Sequence, residues 1–305
     1  MNRPETATTR FQIRLSGPLD LAGTLAPLGR WGDDDLDRWD GRRLLRIAHL
    51  PTGRLVYLAR PSGTPELPAL HVTAAAGASS QQDALRREIE TSLAGDVAAL
   101  AALAAEDPAI GALARRYPGL RPVLLRDPFT ALVRSISAQQ VNLRWAAEVR
   151  RRICRRFGHR HELEGESAHS LDARILASAA EPELRALGLT GAKSRSVLAC
   201  ARAASEGRLE LAKLAALDDE EVSARLTALP GIGRWSADWF LVRTLGRPRV
   251  VGGDLGVRKA VGRLYGAGAL PGEAEVRRLT AHWGVAAAMA QVVALHDLAV
   301  RSSND

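Results

Sequence analysis

The sequence predicts an α+β protein, in which a small antiparallel-sheet domain precedes an all-α domain of two lobes. Two observations support this class. Short segments before Ser80 alternate apolar and polar residues, which is typical of strands, whereas later apolar residues recur at helical spacing. The 305 residues suffice for about two domains. We place a mixed α/β domain at residues 1–105 and the helical domain at 106–305.

Four segments of the first domain have strand character. The first is the alternating stretch 11–15, the second pair is 44–48 and 55–58, and the last is 69–73. A Pro-Thr-Gly turn at 51–53 separates the middle pair, which predicts a β-hairpin. We therefore expect a small antiparallel sheet accompanied by one or two helices.

The three consecutive aspartates of this region, Asp33, Asp34 and Asp35, could suggest a metal site. Three carboxylates in a row point in different directions, however, and Asp is common in turns. We expect a solvated turn here and assign it no chemistry.

Beyond Ser80 we expect helices only. Asp127 followed by Pro128 is a helix start, with an N-cap acceptor and Pro at the first helical position. Asn142 can cap the next helix, whose outer faces carry an arginine run over 150–156. Such a run is usually a solvated face, and contact with a nucleic-acid backbone is the alternative.

Composition excludes several classes of protein. Hydrophobic residues make up 46% and charged residues 25%, so neither disorder nor a fibrous repeat fits. Two cysteines provide no disulfide framework, no paired metal knuckle and no iron–sulfur ligand set. No apolar run approaches the roughly 18 residues of a membrane helix, and no signal region is evident. We expect a soluble, cytoplasmic protein that does not bind membranes.

The net charge of +8 is unevenly distributed. Residues 1–105 contain 12 basic and 12 acidic side chains, whereas residues 106–305 contain 30 and 22. Arginine accounts for 39 of the 42 basic residues, and its planar fork suits phosphate. The second domain is therefore the one expected to bind a polyanion. The alternative is that a GC-rich genome produces an Arg-rich chain without any such partner.

The most informative segment is Leu-Pro-Gly-Ile-Gly-Arg-Trp-Ser-Ala at 229–237. It lies between two predicted helices. Gly231 and Gly233 allow a tight reversal and leave the amides that open the second helix exposed. A helix N-terminus can hold a DNA phosphate without reading the base. An ordinary helix-to-helix corner is the alternative.

This segment, together with Gly-Gly-Asp-Leu-Gly at 252–256, resembles the helix–hairpin–helix base-excision DNA glycosylases, and within them the 3-methyladenine DNA glycosylase II branch. The similarity extends to Tyr-Pro-Gly-Leu-Arg at 117–121, to Asp-Pro-Phe at 127–129, and to Arg-Ser-Ile-Ser-Ala-Gln-Gln-Val at 134–141. It also includes Leu-Gly-Leu at 187–189 with Lys193. It covers residues 106–283 well and the N-terminal sheet more loosely.

The resemblance implies roles for particular residues. Asp254 matches the catalytic aspartate, and Gln140 matches the wedge that fills the space left by a flipped base. Trp235 and Phe129 would line the base pocket. DNA-backbone contacts would come from Gly231, Gly233, Arg234 and Ser236, and a monovalent cation would bind the backbone carbonyls of Thr227, Leu229 and Ile232.

The residues themselves leave alternatives open. Asp254 could equally cap the helix that begins at Leu255, Gln140 could be a surface-loop residue, and Trp235 could belong to a core stripe with Trp239. Asp238, the rival carboxylate, fits a surface or structural role.

Some positions depart from the family pattern. Gly253 stands where the branch often has a second acid. The C-terminal segment 283–288 lacks the family's Pro-Trp-Arg, and Leu295 and His296 replace an expected aromatic wall.

Trp235 occupies the hairpin position where strand-cleaving relatives carry a Schiff-base lysine, so the resemblance implies hydrolysis without lyase activity. We expect a monomeric, monofunctional DNA glycosylase that flips and excises alkylated purines from damaged double-stranded DNA. No redox or organic cofactor is expected. The alternatives are a glycosylase for oxidised or deaminated bases, and a non-catalytic module that binds damaged DNA.

Overall fold

The structure is a computed structural model that describes residues 8–75, 78–266 and 270–302. Its N-terminal part contains a five-stranded antiparallel sheet with the strand order β1-β5-β4-β3-β2. The strands are β1 Thr8–Arg14, β2 Arg38–Trp39, β3 Leu44–Leu50, β4 Gly53–Gly63 and β5 Pro68–Ala75. Leu50 pairs with Gly53, so the predicted hairpin closes through Pro51 and Thr52. The predicted sheet is therefore confirmed.

Both faces of this sheet are covered. Apolar residues on one face pack against two helices, α1 (Leu21–Gly29) and α2 (Gln82–Ser92). Leu45 and Leu58 lie on the opposite face and pack against Leu163 and Ala168 of the second part of the chain.

The remaining helices form two lobes, as predicted. They are α3 Val97–Glu106, α4 Pro108–Arg116, α5 Pro128–Ala138, α6 Leu143–Phe157, α7 Ala173–Ala177, α8 Glu181–Ala186, α9 Gly191–Ser205, α10 Leu211–Ala215, α11 Asp219–Thr227, α12 Arg234–Arg243, α13 Leu255–Leu264, α14 Glu273–Leu279 and α15 Ala287–Arg301. Helices α5 to α12 share one apolar core. Helices α3, α4 and α13 to α15 share another. Because α3 belongs to the second lobe, helical packing begins before the predicted boundary at residue 106.

The expectation that no strand follows Ser80 is wrong. A hairpin of β6 (Gly158–Leu163) and β7 (Glu166–Leu171) follows α6 directly. Its two-residue turn has Glu164 at φ 49° and Gly165 at φ 78°, the left-handed pair of a type I′ turn. Of its residues, Leu163 and Ala168 reach the core beneath the sheet, so the apolar alternation was too sparse to be recognised.

The aspartate run is also not a solvated turn. Asp34 is 3% exposed, and its carboxylate accepts hydrogen bonds from Arg134 at 2.7 Å and from Arg150 at 2.8 Å. Asp35 accepts one from Arg155 at 2.5 Å, and buried Asp37 accepts one from Arg134 at 2.9 Å. The carboxylates are buried because arginines of α5 and α6 compensate them. This network attaches the N-terminal part to the helical lobes.

One stretch within the described ranges, Ala281–Arg301, is long and apolar enough to cross a membrane. More than half of its apolar window, 56%, is buried inside the protein. Its side chains contribute to the second lobe, where Trp283 is 1% exposed and Val293 is fully buried. This burial is that of a core helix, and it explains an apolar stretch that the sequence analysis overlooked.

Candidate active site

The glycine segment forms a tight hairpin between α11 and α12. Gly231 adopts φ +76°, and the amide of Ile232 donates to the carbonyl of Leu229 at 3.1 Å. Gly233 is the N-cap of α12 and has no side chain that could satisfy the helix amides. The amides of Arg234, Trp235 and Ser236 therefore open the helix without intrahelical acceptors. Such an end favours an anion.

Asp254 lies at the start of α13 and caps it, as one of the two alternatives predicted. Its Oδ1 accepts a hydrogen bond from the amide of Val257 at 3.0 Å. Its Oδ2 accepts one from the indole Nε1 of Trp235 at 3.3 Å. The side chain is half-buried, so the carboxylate is fixed by two donors and still reaches solvent. The cap and a catalytic role use different lone pairs and are compatible.

The C-terminal helix, α15, supports the loop that carries Asp254. The amide of Val251 donates to Oε1 of Gln291 at 2.8 Å, and the Gln291 side chain is 4% exposed. Sequence reasoning missed Gln291, because a buried glutamine 40 residues away from its partner has no local signal.

A second missed residue, Glu273 of α14, lies beside the same loop. A Cβ added to Gly253 would lie 3.0 Å from Glu273 Oε2, so the glycine leaves room for this carboxylate. The other oxygen of Glu273 faces Arg234 at 3.4 Å and accepts from Arg277 at 2.8 Å. An acid thus stands close to the position where the family branch often has its second one.

Trp235 lies between the lobes. It packs with Trp239 against three buried residues, which are Val242 of α12, Val251 of the loop that follows α12, and Ala288 of α15. The ring is half-buried, so it is both part of a small apolar cluster and accessible at one side. The packing fits the core-stripe alternative, and the base-pocket role of Trp235 stays a prediction.

The structure does not place Phe129 in a base pocket. Its side chain is 4% exposed and belongs to the core formed by α5 to α12. A ring enclosed by that core offers no face to a base, and we correct the assignment. Its position on the first turn of α5, facing inward, could not be distinguished from a pocket position by spacing.

The C-terminal positions that depart from the family pattern face different surroundings. A Cβ added to Gly256 would lie 3.1 Å from Asp254 Oδ1 and 3.2 Å from Leu295 Cδ2, so Leu295 borders the catalytic candidate. His296 instead stacks edge-on against Tyr117, with ring centroids 4.8 Å apart. An aliphatic wall therefore replaces an aromatic one at this border.

Gln140 lies in the turn between α5 and α6 with φ +51° and an exposed side chain. The neighbouring Gln139 connects this turn to the hairpin. Its Nε2 donates to the Gly231 carbonyl at 3.1 Å and to Ser236 Oγ at 3.2 Å. The structure thus brings the predicted wedge and the predicted phosphate-binding amides together. The Ser236 side chain itself is 1% exposed, so only its amide faces the helix end.

The arginines of the 150–156 run on α6 have acidic partners. Arg150 binds Asp34, whereas Arg151 and Arg152 both bind Glu148, at 2.7 and 2.8 Å. Because carboxylates of the protein itself compensate these cations, they are poorly suited to phosphate contact. The solvated-face alternative fits Arg151 and Arg152, and the buried Arg150 fits neither.

Asp238 is a structural group, as expected for the rival carboxylate. It is 3% exposed and accepts a hydrogen bond from Arg277 at 2.5 Å. Arg249 lies 3.7 Å away on its other side. This pairing connects α12 to α14 and leaves no oxygen directed at solvent.

The three carbonyls proposed for a monovalent cation lie where α11 ends and the hairpin turns. Thr227 is the last residue of α11, and carbonyls at a helix end lack intrahelical donors. The Leu229 carbonyl accepts the Ile232 amide and keeps a second lone pair. Neutral carbonyl oxygens are suitable ligands for a cation, so these residues fit the group.

Among the described residues, Asp35, Cys154 and His169 form a group with ligand atoms within 4.8 Å of one another. Arg155 already donates a hydrogen bond to the Asp35 carboxylate, and the Cys154 thiol donates to the Asp34 carbonyl at 3.3 Å. Burial raises the pKa of Cys154 well above its usual range, which keeps the sulfur protonated. Since metals bind the thiolate, this group fits a structural network better than a metal centre.

The family model described as the HhH-GPD superfamily of base excision DNA repair proteins matches residues 133–284, which include both the hairpin and Asp254. The chain belongs to this superfamily. Among curated relatives, DNA-3-methyladenine glycosylase 2 of Escherichia coli is 33% identical over 135 residues, which are 44% of this chain and 47% of that protein. DNA-3-methyladenine glycosylase of Bacillus subtilis is 26% identical over 183 residues, 59% and 60% of the two chains. The chain therefore spans about half to three-fifths of the length of these relatives.

Two solved structures share the fold over nearly the whole chain. The 3-methyladenine DNA-glycosylase from Archaeoglobus fulgidus superposes with a TM-score of 0.81 and 23% identity, over 94% of this chain and 96% of that one. An 8-oxoguanine glycosylase/lyase of Clostridium acetobutylicum, in complex with double-stranded DNA, gives 0.73 and 16% identity, over 100% of both chains. At these identities the likeness establishes the fold alone.

Proposed function

We propose that this protein is a DNA glycosylase of base excision repair that hydrolyses the N-glycosyl bond of a damaged base. The observation that carries the proposal is the Asp254 carboxylate. It is fixed by Trp235 and Val257, it reaches solvent, and it lies beside a hairpin whose open helix end suits a DNA phosphate. The names of the curated relatives support the same activity.

The chemistry requires a base to leave the stack, which costs a few kcal/mol. Gln140, exposed at the tip of its turn, would fill the space left behind. As the glycosidic bond breaks, the sugar becomes cationic. A carboxylate about 4 Å away in an effective dielectric near 20 stabilises that charge by roughly 4 kcal/mol, or about a thousandfold in rate. The remaining lone pairs of Asp254 can orient the attacking water.

We propose hydrolysis without strand cleavage. Trp235 cannot form a Schiff base. Of the three lysines in the sequence, Lys193 donates to backbone carbonyls at the end of α5, and Lys213 pairs with Glu210 on α10. Lys259 is exposed on α13, beyond Asp254. Borohydride trapping of the enzyme on damaged DNA tests this point, and a trapped adduct that Lys259→Ala abolishes would contradict it.

For the substrate we propose alkylated purines. A purine nucleotide alkylated at ring N3 or N7 carries positive charge, which the electron-rich indole face of Trp235 and the Asp254 carboxylate both attract. Such a base is also a good leaving group. The names of the curated relatives point to 3-methyladenine.

The experiment measures free base released from methylated duplex DNA by the wild type, Asp254→Asn and a control, Glu206→Gln, which removes an exposed carboxylate elsewhere. We expect 3-methyladenine or 7-methylguanine from the wild type and the control, and at least about a thousandfold slower release from Asp254→Asn. Equal release by Asp254→Asn would remove this residue from the mechanism. Salt-dependent DNA binding without release of any base from a lesion panel would overturn the enzymatic proposal.

We also propose that a monovalent cation at the Thr227, Leu229 and Ile232 carbonyls neutralises phosphate charge at the hairpin, and that the protein acts as a monomer. Exchange of potassium for tetramethylammonium at constant ionic strength should weaken DNA binding by the wild type. Sedimentation of the protein on a DNA duplex measures its stoichiometry, for which we expect one chain per lesion.

A further inference from the structure

The turn that carries Gln140 has a conformation that its surroundings must hold in place. Helix α5 ends at Ala138, Gln139 is extended, and Gln140 then adopts φ +51°. A residue other than glycine in the left-handed region costs energy and persists where neighbouring groups fix it. The described contacts identify two such groups.

The first is the ammonium of Lys193, on the first turn of α9. Its Nζ donates to the Gln139 carbonyl at 2.6 Å and to the Ser137 carbonyl at 3.2 Å. Both carbonyls lie at the C-terminal end of α5, where acceptors lack intrahelical donors and the helix dipole favours a cation. The side chain is half-buried, so these bonds are shielded from water.

The second is the side chain of Gln139. Its Nε2 donates to the Gly231 carbonyl at 3.1 Å and to Ser236 Oγ at 3.2 Å, both on the hairpin segment. Ser236 Oγ also accepts a hydrogen bond from Ser135 Oγ of α5 at 2.9 Å. The turn is thus tied to α9 on one side and to the hairpin on the other.

We propose that Lys193 and Gln139 are positioning residues, which hold Gln140 at a fixed place relative to the hairpin amides. Binding of a DNA phosphate at the hairpin would then set the depth and angle at which Gln140 enters the duplex. This inference rests on the proposed wedge function of Gln140. Neither Lys193 nor Gln139 would contact the base or the sugar.

The test compares base release from one lesion in duplex DNA and in a single strand under single-turnover conditions. A single strand has no partner base and little stacking to break, so it requires no wedge. The variants are Lys193→Met, Lys193→Arg, Gln139→Met and Gln140→Ala. Lys213→Met serves as the matched control, since Lys213 is an exposed lysine of α10.

We expect Lys193→Met to slow release from the duplex by about ten- to a hundredfold, because it loses two charge-assisted hydrogen bonds. Gln140→Ala, which removes the wedge itself, should slow it by a similar factor. Release from the single strand should stay within about twofold of the wild type for both. Gln139→Met should behave in the same way, Lys193→Arg should recover part of the duplex rate, and Lys213→Met should change neither substrate.

Two results would overturn the inference while leaving the glycosylase proposal intact. One is an equal loss on both substrates in Lys193→Met and Gln139→Met alike, which is what a merely structural role predicts. The other is an unchanged duplex rate in Lys193→Met where Gln140→Ala is slowed. An unchanged duplex rate in Gln140→Ala would remove the wedge assignment and this inference with it. If Lys193→Met does not fold, Gln139→Met and Lys193→Arg decide the question.

Discussion

The indole N–H of Trp235 points at Oδ2 of Asp254, 3.3 Å away. The edge of the ring is therefore engaged with the carboxylate, while part of its surface stays accessible to solvent. We propose that Trp235 performs two tasks, in which its N–H orients the carboxylate and its accessible apolar surface receives a base.

Trp235→Phe separates these tasks, since phenylalanine keeps an aromatic face and loses the N–H donor. A hydrogen bond to a charged group is worth about 1.5–3 kcal/mol. We expect release from alkylated duplex DNA to slow by roughly ten- to a hundredfold, with little change in the Kd for DNA. Trp239→Phe, which alters the neighbouring ring, is the control. A weakened Kd with an unchanged single-turnover rate would mean that stacking is the role that matters.

The two hairpin glycines provide a matched pair of variants. Gly231 has φ +76°, and an added Cβ would lie 1.9 Å from Ser196 Oγ, whereas Gly233 has extended backbone and nothing within 4 Å. We expect Gly231→Ala to lower the free energy of unfolding by at least about 1 kcal/mol and to weaken DNA binding. Gly233→Ala should leave stability within about 0.5 kcal/mol. Urea unfolding and fluorescence anisotropy measure both, and equal stability of the two variants would contradict the strained turn.

Asp34→Asn should destabilise the protein strongly. It removes the shared partner of Arg134 and Arg150, two guanidiniums that are themselves largely buried. Breaking a buried pair from one side costs about 3–5 kcal/mol. Asp33→Asn, which removes a 44%-exposed carboxylate paired with Arg38, should cost less than about 1 kcal/mol. Chemical denaturation of the two variants checks the contrast, and similar losses would mean that the Asp34 pairs contribute little.

The same carboxylate gives the protein a defined response to acid. Burial alone would raise the pKa of Asp34, but the charges of Arg134 and Arg150 outweigh it, so the pKa lies below its ordinary value of 3.8. A carboxyl whose pKa is lower in the folded state stabilises the fold at any pH above its unfolded-state pKa. This contribution is lost as the pH falls through the folded-state pKa. We expect the unfolding free energies of the wild type and Asp34→Asn to differ by a constant amount between pH 7 and about 5. The difference between the two unfolding free energies should narrow below about pH 4. A difference that grows on acidification would mean that the pKa of Asp34 is raised in the folded state.

Local patterns predicted much of the structure. The hairpin at 44–58 and the capping role of Asp254 depend on residues close together in the chain, so turn and cap chemistry sufficed. The position of Gln140 in an exposed turn followed from helix signals on both sides.

The errors arose where partners are distant in sequence. Asp34 was predicted to be solvated because Arg134, which compensates it, is 100 residues away. Lys193 and Gln139 are 54 residues apart, and no periodicity connects them. Phe129 was misassigned for another reason. A motif match identifies the helix on which a residue lies, but packing determines the direction of its side chain.

The buried amide of Gln291 makes the geometry around Asp254 dependent on the last helix of the chain. A frameshift, a premature stop codon or proteolysis that removes α15 would release the Val251 amide, and the loop that carries Asp254 would lose a support from outside its own segment. Truncated products would keep the hairpin sequence and the acidic and aromatic residues around Asp254, but they would also lose the part of the second lobe's core that α15 provides. The loop bearing the carboxylate would then no longer be fixed against the indole.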